Sequence, residues 1–439
     1  MTNNYINVVG AGLAGCEAAY QIAKRGIPVR LYEMKPNKKS PAHHSENFAE
    51  LVCSNSLKAQ RVSSAAGLLK EEMRMLDSLL LKCADKCMVP AGGALAVDRD
   101  IFSNLVTESI KSMENIEIIA GEITKIPEDA ITVIATGPLT ADALCNEIIN
   151  LFGGSLSFFD AAAPIVTAES IDPETSFAQS RYDKGDGDDY INCPLNKAEY
   201  EEFYKALISA ERAPLHEFDV SDPKVYEGCM PIEVMAQRGE DTIRFGPMKP
   251  VGLRDPRTGH RPWACLQLRR ENAEGSMYNL VGFQTNLKFP EQKRVFGLIP
   301  ALRNAEFVRY GVMHRNTFID SPRVLSSDYS SKCNPDLFFA GQLTGVEGYM
   351  ESASSGLIAG INAANRYFGK ETITLPKETM IGALARYITD DSIVKFQPMG
   401  ASFGLLPELE DRPRDKKLRG EKYAQRAIDV LNLYKSERL

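Results

Sequence analysis

An α/β fold with a parallel sheet at its centre, fed by segments from both ends of the chain and interrupted by an inserted α+β unit, is the architecture this sequence predicts. Three observations predict it. An apolar run at residues 5–9, YINVV, leads into the glycine pattern Gly10-x-Gly12-x-x-Gly15 and then an alanine-rich helical stretch, Cys16 to Arg25. A second apolar run, PVRLYEMK at 28–35, completes a β-α-β unit. The strand-into-glycine signature then recurs far downstream, as ITVIATGP at 131–138 and DLFFAGQLTG at 336–345. Such distant segments serve one sheet only if the domain is discontinuous. The expectation is a Rossmann-like two-dinucleotide-fold domain over residues 1–160 and 325–439, with 161–324 inserted.

Between these markers, periodicity assigns the helices. Ser63 to Leu81 carries Leu68, Leu69, Met73, Leu76, Leu79 and Leu80 on one broad helical face. Asp98 or Asp100 is placed to cap a further helix that runs to Met113. The glycine- and alanine-spaced run Ser352 to Arg366 reads as a helix, and the tail from Lys416 as an amphipathic basic one.

An apolar fraction of 44% and a charged fraction of 25% in 439 residues is ordinary globular composition. No apolar run approaches the roughly 20 residues that cross a bilayer, and the N-terminus enters its first strand without a signal peptide, so a cytoplasmic protein with no membrane partner is expected. Nine scattered cysteines, an odd number, fit reduced thiols. The excess of 58 acidic over 51 basic residues argues against indiscriminate polyanion binding. Locally the balance reverses: Arg238 to Arg270 holds eight basic residues against three acids, and Arg412 to Leu439 nine against four.

The glycines of Gly10-Ala11-Gly12-Leu13-Ala14-Gly15 let backbone approach a pyrophosphate at a helix N-terminus, and Glu33, 18 residues after Gly15, ends the next strand where a carboxylate holds ribose hydroxyls. The later segments decide the dinucleotide. Gly137, and Gly341, Gln342, Gly345, Glu347 and Gly348, resemble the later FAD-contacting segments of two-dinucleotide-fold flavoproteins. No second G-x-G-x-x-G exists for a dedicated NAD(P)H domain, so NADH or NADPH would visit the flavin transiently.

Two cysteines stand in unusual surroundings, Cys53 in FAELVCSNSLKA and Cys229 in VYEGCMPIEVMAQRGEDTIRFGPMKPVGL. With PAHHSENFAEL, MVPAGGALAVDRD, FDAAAPIV, SRYDKG, INCPL, YGVMHRNTFI and FFAGQLTGVEGYMESASSG, these stretches resemble the folate- and FAD-dependent tRNA uracil-5-methyltransferases, from about residue 5 to 366. The resemblance implies formation of 5-methyluridine at position 54 in the tRNA T-loop. Uracil C5 becomes nucleophilic only after something adds to C6, and a thiolate suits that reversible addition. The one-carbon unit then comes from 5,10-methylenetetrahydrofolate, and reduced flavin supplies the hydride that turns a methylene into a methyl. By resemblance Cys229 attacks C6 and Cys53 takes the C5 proton. Asn286 and Phe289 depart from the family, whose members commonly carry His and Trp there.

The same residues leave other readings in view. Cys193 reads as structural, and Cys83 with Cys87, two ligands lacking a second pair, makes no zinc site; no metal is expected. His43 and His44 suit a flavin or substrate loop, and Trp263 suits core packing or base stacking. Arg238, Arg244, Lys249, Arg254, Arg257 and Arg261 could track the backbone of a tRNA T-arm. The same chemistry on a 23S rRNA uridine, a plain FAD oxidoreductase and a non-catalytic FAD-bearing RNA-binding module are the alternatives; the oxidoreductase is disfavoured because Cys53 and Cys229 lack redox-disulfide spacing.

Overall fold

The computed structural model describes residues 4–40, 42–153, 156–183, 187–213 and 230–438. Its central sheet is parallel, with strands in the order Leu337–Phe339, Thr132–Ile134, Ile6–Val9, Val29–Glu33 and Ile116–Ala120. Ile6–Val9, buried at every position, lies mid-sheet, as a strand apolar on both faces must. The helices Leu13–Ala23 and Tyr349–Tyr367 pack on one face of this sheet within a single core.

A six-stranded antiparallel sheet forms a second layer, in the order Phe177–Ala178, Tyr190–Leu195, Ala264–Arg270, Met277–Leu280, Ile165–Thr167 and Phe307–Arg309. It has its own core, where Phe283 meets Phe203 and Phe296 at ring separations of 6.0 and 5.3 Å. An antiparallel ribbon, Leu156–Ala161 against Met313–Phe318, runs between the two regions of sequence. No helix among the described residues is long and apolar enough to cross a membrane.

The helix expected over Ser63 to Leu81 is two helices, Ala65–Met75 and Leu79–Ala84. Asp77 has φ of 65°, a left-handed conformation that no helix continues through, and Ser78 caps the second segment with its hydroxyl. The buried Glu17 carboxylate also accepts N–H bonds from Leu79 and Leu80, at 3.1 Å each. Asp98, rather than Asp100, caps Arg99–Lys111, accepting from Asp100 N and Ile101 N at 3.0 Å.

Glu72 serves as a second buried helix cap. It accepts from Met380 N at 2.7 Å and Ile381 N at 2.9 Å, tying Ala65–Met75 to the start of Met380–Ile388. Burial raises its carboxyl to about 8, against the pull of those two N–H groups. A folded pKa above the unfolded one gives a contribution to stability that is present below the ordinary glutamate range and lost as pH rises through 8. Each pH unit in that window costs up to about 1.4 kcal/mol. Urea midpoints at pH 5, 6.5 and 8 should therefore fall with pH in the wild type and fall less in Glu72→Gln; equal slopes would refute this.

Candidate functional site

A cleft of about 1160 Å³, its open mouth included, lies at the carboxyl edge of the parallel sheet. Gly10, Ala11, Gly12, Leu13 and Ala14 form one wall, Glu33 another, and Gly137, Gly341 and Gln342 the far side. Gly10 has φ of 97° and a side chain there would strike the Ala135 carbonyl at 2.7 Å. A side chain at Gly12 would meet nothing within 4 Å, so that position opens onto the cleft. The Glu33 carboxylate accepts from Ala11 N at 2.8 Å and Lys35 N at 3.0 Å, which fixes it beside the helix start.

Four residues of the sequence-derived cofactor set do not line the cleft, and neither does Cys53 itself. Gly15 allows close packing instead, since a Cβ there would lie 1.7 Å from the Gly10 carbonyl oxygen. Gly345 passes the Phe396 ring, where a Cβ would come within 2.4 Å. Glu347 accepts from Gln342 Nε2 at 2.7 Å and so holds a lining residue. Gly348, with φ of 126°, starts the Tyr349–Tyr367 helix beside the Lys58–Glu351 ion pair of 2.6 Å.

Cys53 is half-buried next to this helix start. The Tyr349 hydroxyl accepts from Cys53 N at 2.8 Å and Ser54 N at 3.2 Å, and donates to Cys53 Sγ at 3.1 Å. Burial and the neighbouring Cys53 hold the Tyr349 phenol well above its ordinary value, so it stays a neutral donor. Tyr349 also lines the cleft, which joins the thiol to the dinucleotide site. Arg99 and Arg269 lie within electrostatic reach of Cys53. Cys229 lies outside the described residues.

Other thiols are poorly placed for chemistry. Cys193 is fully buried, and burial pushes Cys87 and Cys265 up to about 12. His43 lines the cleft, 2.5 Å from Ser40 Oγ, and burial with Lys35 nearby holds its imidazole low. Arg244 covers Trp263 with its guanidinium carbon 3.8 Å from the ring centre, and Arg257 forks onto Asp255 at 2.9 and 2.7 Å. Lys249, Arg254 and Arg261 are exposed. Asn286 is buried and donates to Ala213 O at 3.1 Å, whereas Phe289 is half-exposed and stacks on Tyr310 at 4.6 Å, itself stacked on Phe307.

Sequence reading missed Tyr349, Arg99, Arg269 and Glu271 as individuals. Tyr349 carried one signal, its position directly after the last glycine segment. The others come from separate elements, with Glu271 lying 172 residues from the Arg99 it pairs with at 2.7 Å.

Residues 5–371 match the family model of glucose inhibited division protein A. A relative in Acetivibrio thermocellus, Methylenetetrahydrofolate--tRNA-(uracil-5-)-methyltransferase TrmFO, is 60% identical over 99% of both chains. Its namesake in Lactobacillus gasseri is 58% identical over 99% of this chain and 98% of that one. The Aquifex aeolicus GidA structure superposes with a TM-score of 0.70 at 18% identity, covering 98% of this chain and 73% of that one, which establishes a shared fold. The chain belongs to the glucose inhibited division protein A family, alongside the TrmFO methyltransferases.

Proposed function

We propose that this chain forms 5-methyluridine in tRNA, taking the one-carbon unit from methylenetetrahydrofolate and using FAD. The observation that carries the reading is the Cys53–Tyr349 contact on the wall of a dinucleotide cleft, in a chain 60% identical to a named tRNA methyltransferase of that type. The cleft fits FAD by its own features: an open glycine at a helix N-terminus, a fixed carboxylate at Glu33 and room for a large ligand. When bound, the flavin supplies hydride chemistry, with NADH or NADPH as the proposed source of electrons.

The protein's own groups do the rest. Gly10, Ala11, Gly12, Leu13 and Ala14 present backbone to the pyrophosphate, Glu33 receives the ribose, and Gly137, Gly341 and Gln342 close the far side. Gly15, Gly345, Glu347 and Gly348 set the backbone around them. The Cys229 thiolate adds to uracil C6, and Cys53, held by Tyr349, removes the C5 proton after the one-carbon unit is attached. The proposed target is the uridine at position 54 in the T-arm. Lys249, Arg254 and Arg261 offer exposed charge for its phosphates, while Arg244 and Arg257 are engaged within the fold. The proposed division of the chain remains 1–160 with 325–439, and 161–324 between.

The test supplies holoenzyme, NAD(P)H and methylene-labelled methylenetetrahydrofolate with an unmodified tRNA transcript or a 23S rRNA fragment. Label should enter a single T-loop 5-methyluridine in tRNA. Label in the rRNA fragment alone would move the acceptor, and flavin turnover without RNA or folate would favour the plain oxidoreductase.

A further inference from the structure

The segment that carries Cys53 is held from three directions. On one side the Tyr349 hydroxyl oxygen takes Cys53 N and Ser54 N, at 2.8 and 3.2 Å. Upstream, Arg99 gives Nη1 to Leu51 O at 2.8 Å while its Nε and Nη2 fork onto Glu271 at 2.7 and 3.3 Å. Downstream, Arg269 donates Nη2 to Ser54 Oγ at 2.8 Å and Nε to Asn55 Oδ1 at 2.9 Å. With its Oδ1 so engaged, the Asn55 amide points Nδ2 back at Arg270 O, at 2.8 Å.

Arg269 is the unusual member of this set. It lies on Ala264–Arg270, an inner strand of the six-stranded sheet, paired with Tyr190 on one side and Asn279 on the other. The side chain is buried, and both of these hydrogen bonds go to neutral acceptors, while Glu271 is taken by Arg99. A buried guanidinium on neutral partners is a costly staple, since an apolar contact would join the same elements with no charge to desolvate. What the planar fork adds is direction, because one rigid group grips two consecutive residues at once. The Tyr349 oxygen is a single point, about which the Cys53–Ser54 backbone can turn. Arg269 supplies a second point on the far side of the thiol and stops that turn.

We propose that Arg269 is a positioning residue for Cys53: acting through Ser54 and Asn55, it fixes the direction from which the thiol meets C5 of the target uracil. The inference rests on the reaction proposed above. In the step that Cys53 serves, the proton on C5 passes to the Cys53 sulfur. The C5–H electron pair becomes the second bond of an exocyclic methylene, and the folate nitrogen leaves with the pair of its bond to that carbon. Proton transfer of this kind is sensitive to approach, and a displacement of about 1 Å costs on the order of 100-fold. A base mounted on a loop reaches that precision only if the loop is tied to a rigid element, which an inner strand provides.

The experiment uses holoenzyme, NAD(P)H, methylenetetrahydrofolate and a tRNA transcript tritiated at uridine C5, so that release of tritium reads removal of the C5 proton. Arg269→Met should slow release about 100-fold. Arg269→Lys, which keeps the charge without the fork, should slow it about 10-fold. Flavin content, KM for tRNA and the rate of covalent capture of a 5-fluorouridine transcript, which has no C5 proton to give, should each stay within about 3-fold of wild type. Tritium release at the wild-type rate overturns the inference. So does an equal fall in release, capture and flavin content, the mark of a merely structural staple, and so does a loss confined to KM for tRNA. Should Arg269→Met lose its flavin, Ser54→Ala decides: it removes the Nη2 acceptor alone, and should slow release about 10-fold with capture unchanged, whereas undiminished release overturns the inference. If Cys53→Ala itself releases tritium at the wild-type rate, the base assignment fails beneath the inference, a result distinguishable because it does not involve Arg269.

Discussion

Cys53→Ala is expected to retain FAD, to form the covalent RNA adduct and to make 5-methyluridine at least about 1,000-fold more slowly, the scale of a lost general base. The thiol sits 3.1 Å from the Tyr349 hydroxyl, whose oxygen is fixed by two backbone N–H groups. Those two bonds do not depend on the sulfur, so truncation leaves the loop in place. The tyrosine loses one acceptor, which costs about 1–3 kcal/mol. Cys53→Ser restores an acceptor while supplying a far weaker base, so it should recover stability and little activity. Cys229→Ala should be equally inactive but form no adduct, since the proposed nucleophile is gone. Gel-shifted RNA–protein species, counted after denaturation, separate the two variants. If Cys53→Ala turns over at the wild-type rate, or if Cys229→Ala still captures RNA, the assigned roles fail.

The parts of this site that could be read from the sequence are those set by backbone. Gly10-x-Gly12-x-x-Gly15 reports its geometry locally, because close approach of main chain demands glycine at fixed spacing, and the cleft indeed opens at Gly12. Side-chain partnerships were not legible. Tyr349 reaches Cys53 across 296 residues, and Asn55 receives Arg269 across 214. No local pattern encodes such pairs. Helix breaks fall between these cases: the apolar face of Ser63 to Leu81 is continuous, but Asp77 and the Ser78 cap divide it. There capping chemistry outweighed periodicity. Glycine also proved ambiguous in purpose. Gly345 and Gly348 sit in the segment that resembles a flavin contact, yet their nearest neighbours are Phe396, Glu351 and Lys58.

Gly356→Val should produce a protein that neither binds FAD nor stays folded through purification. The helices Leu13–Ala23 and Tyr349–Tyr367 cross with almost no side chain between them, at Ala14 and Ala18 against Gly356 and Gly360. A Cβ at Gly356 would lie 2.1 Å from the Ala14 carbonyl oxygen and 2.7 Å from Ala14 Cα, and backbone cannot yield as a flexible side chain does. Relief requires the helices to separate. One carries the N-terminus proposed to hold the pyrophosphate, and the other carries Tyr349, so the same displacement opens the cleft and unseats Cys53. We expect a loss above about 3 kcal/mol, the range reached when a core is overpacked without room to relax. Gly12→Ala supplies the contrast. Its φ of −75° suits any residue, and nothing lies within 4 Å of the new Cβ. That variant should melt within a few degrees of the wild-type apoprotein while binding FAD more weakly, because the methyl occupies space the pyrophosphate needs. Thermal melts followed by circular dichroism, with flavin content from absorbance, would read both. A Gly356→Val protein that purifies yellow would show that the helix crossing yields more easily than its backbone contacts imply.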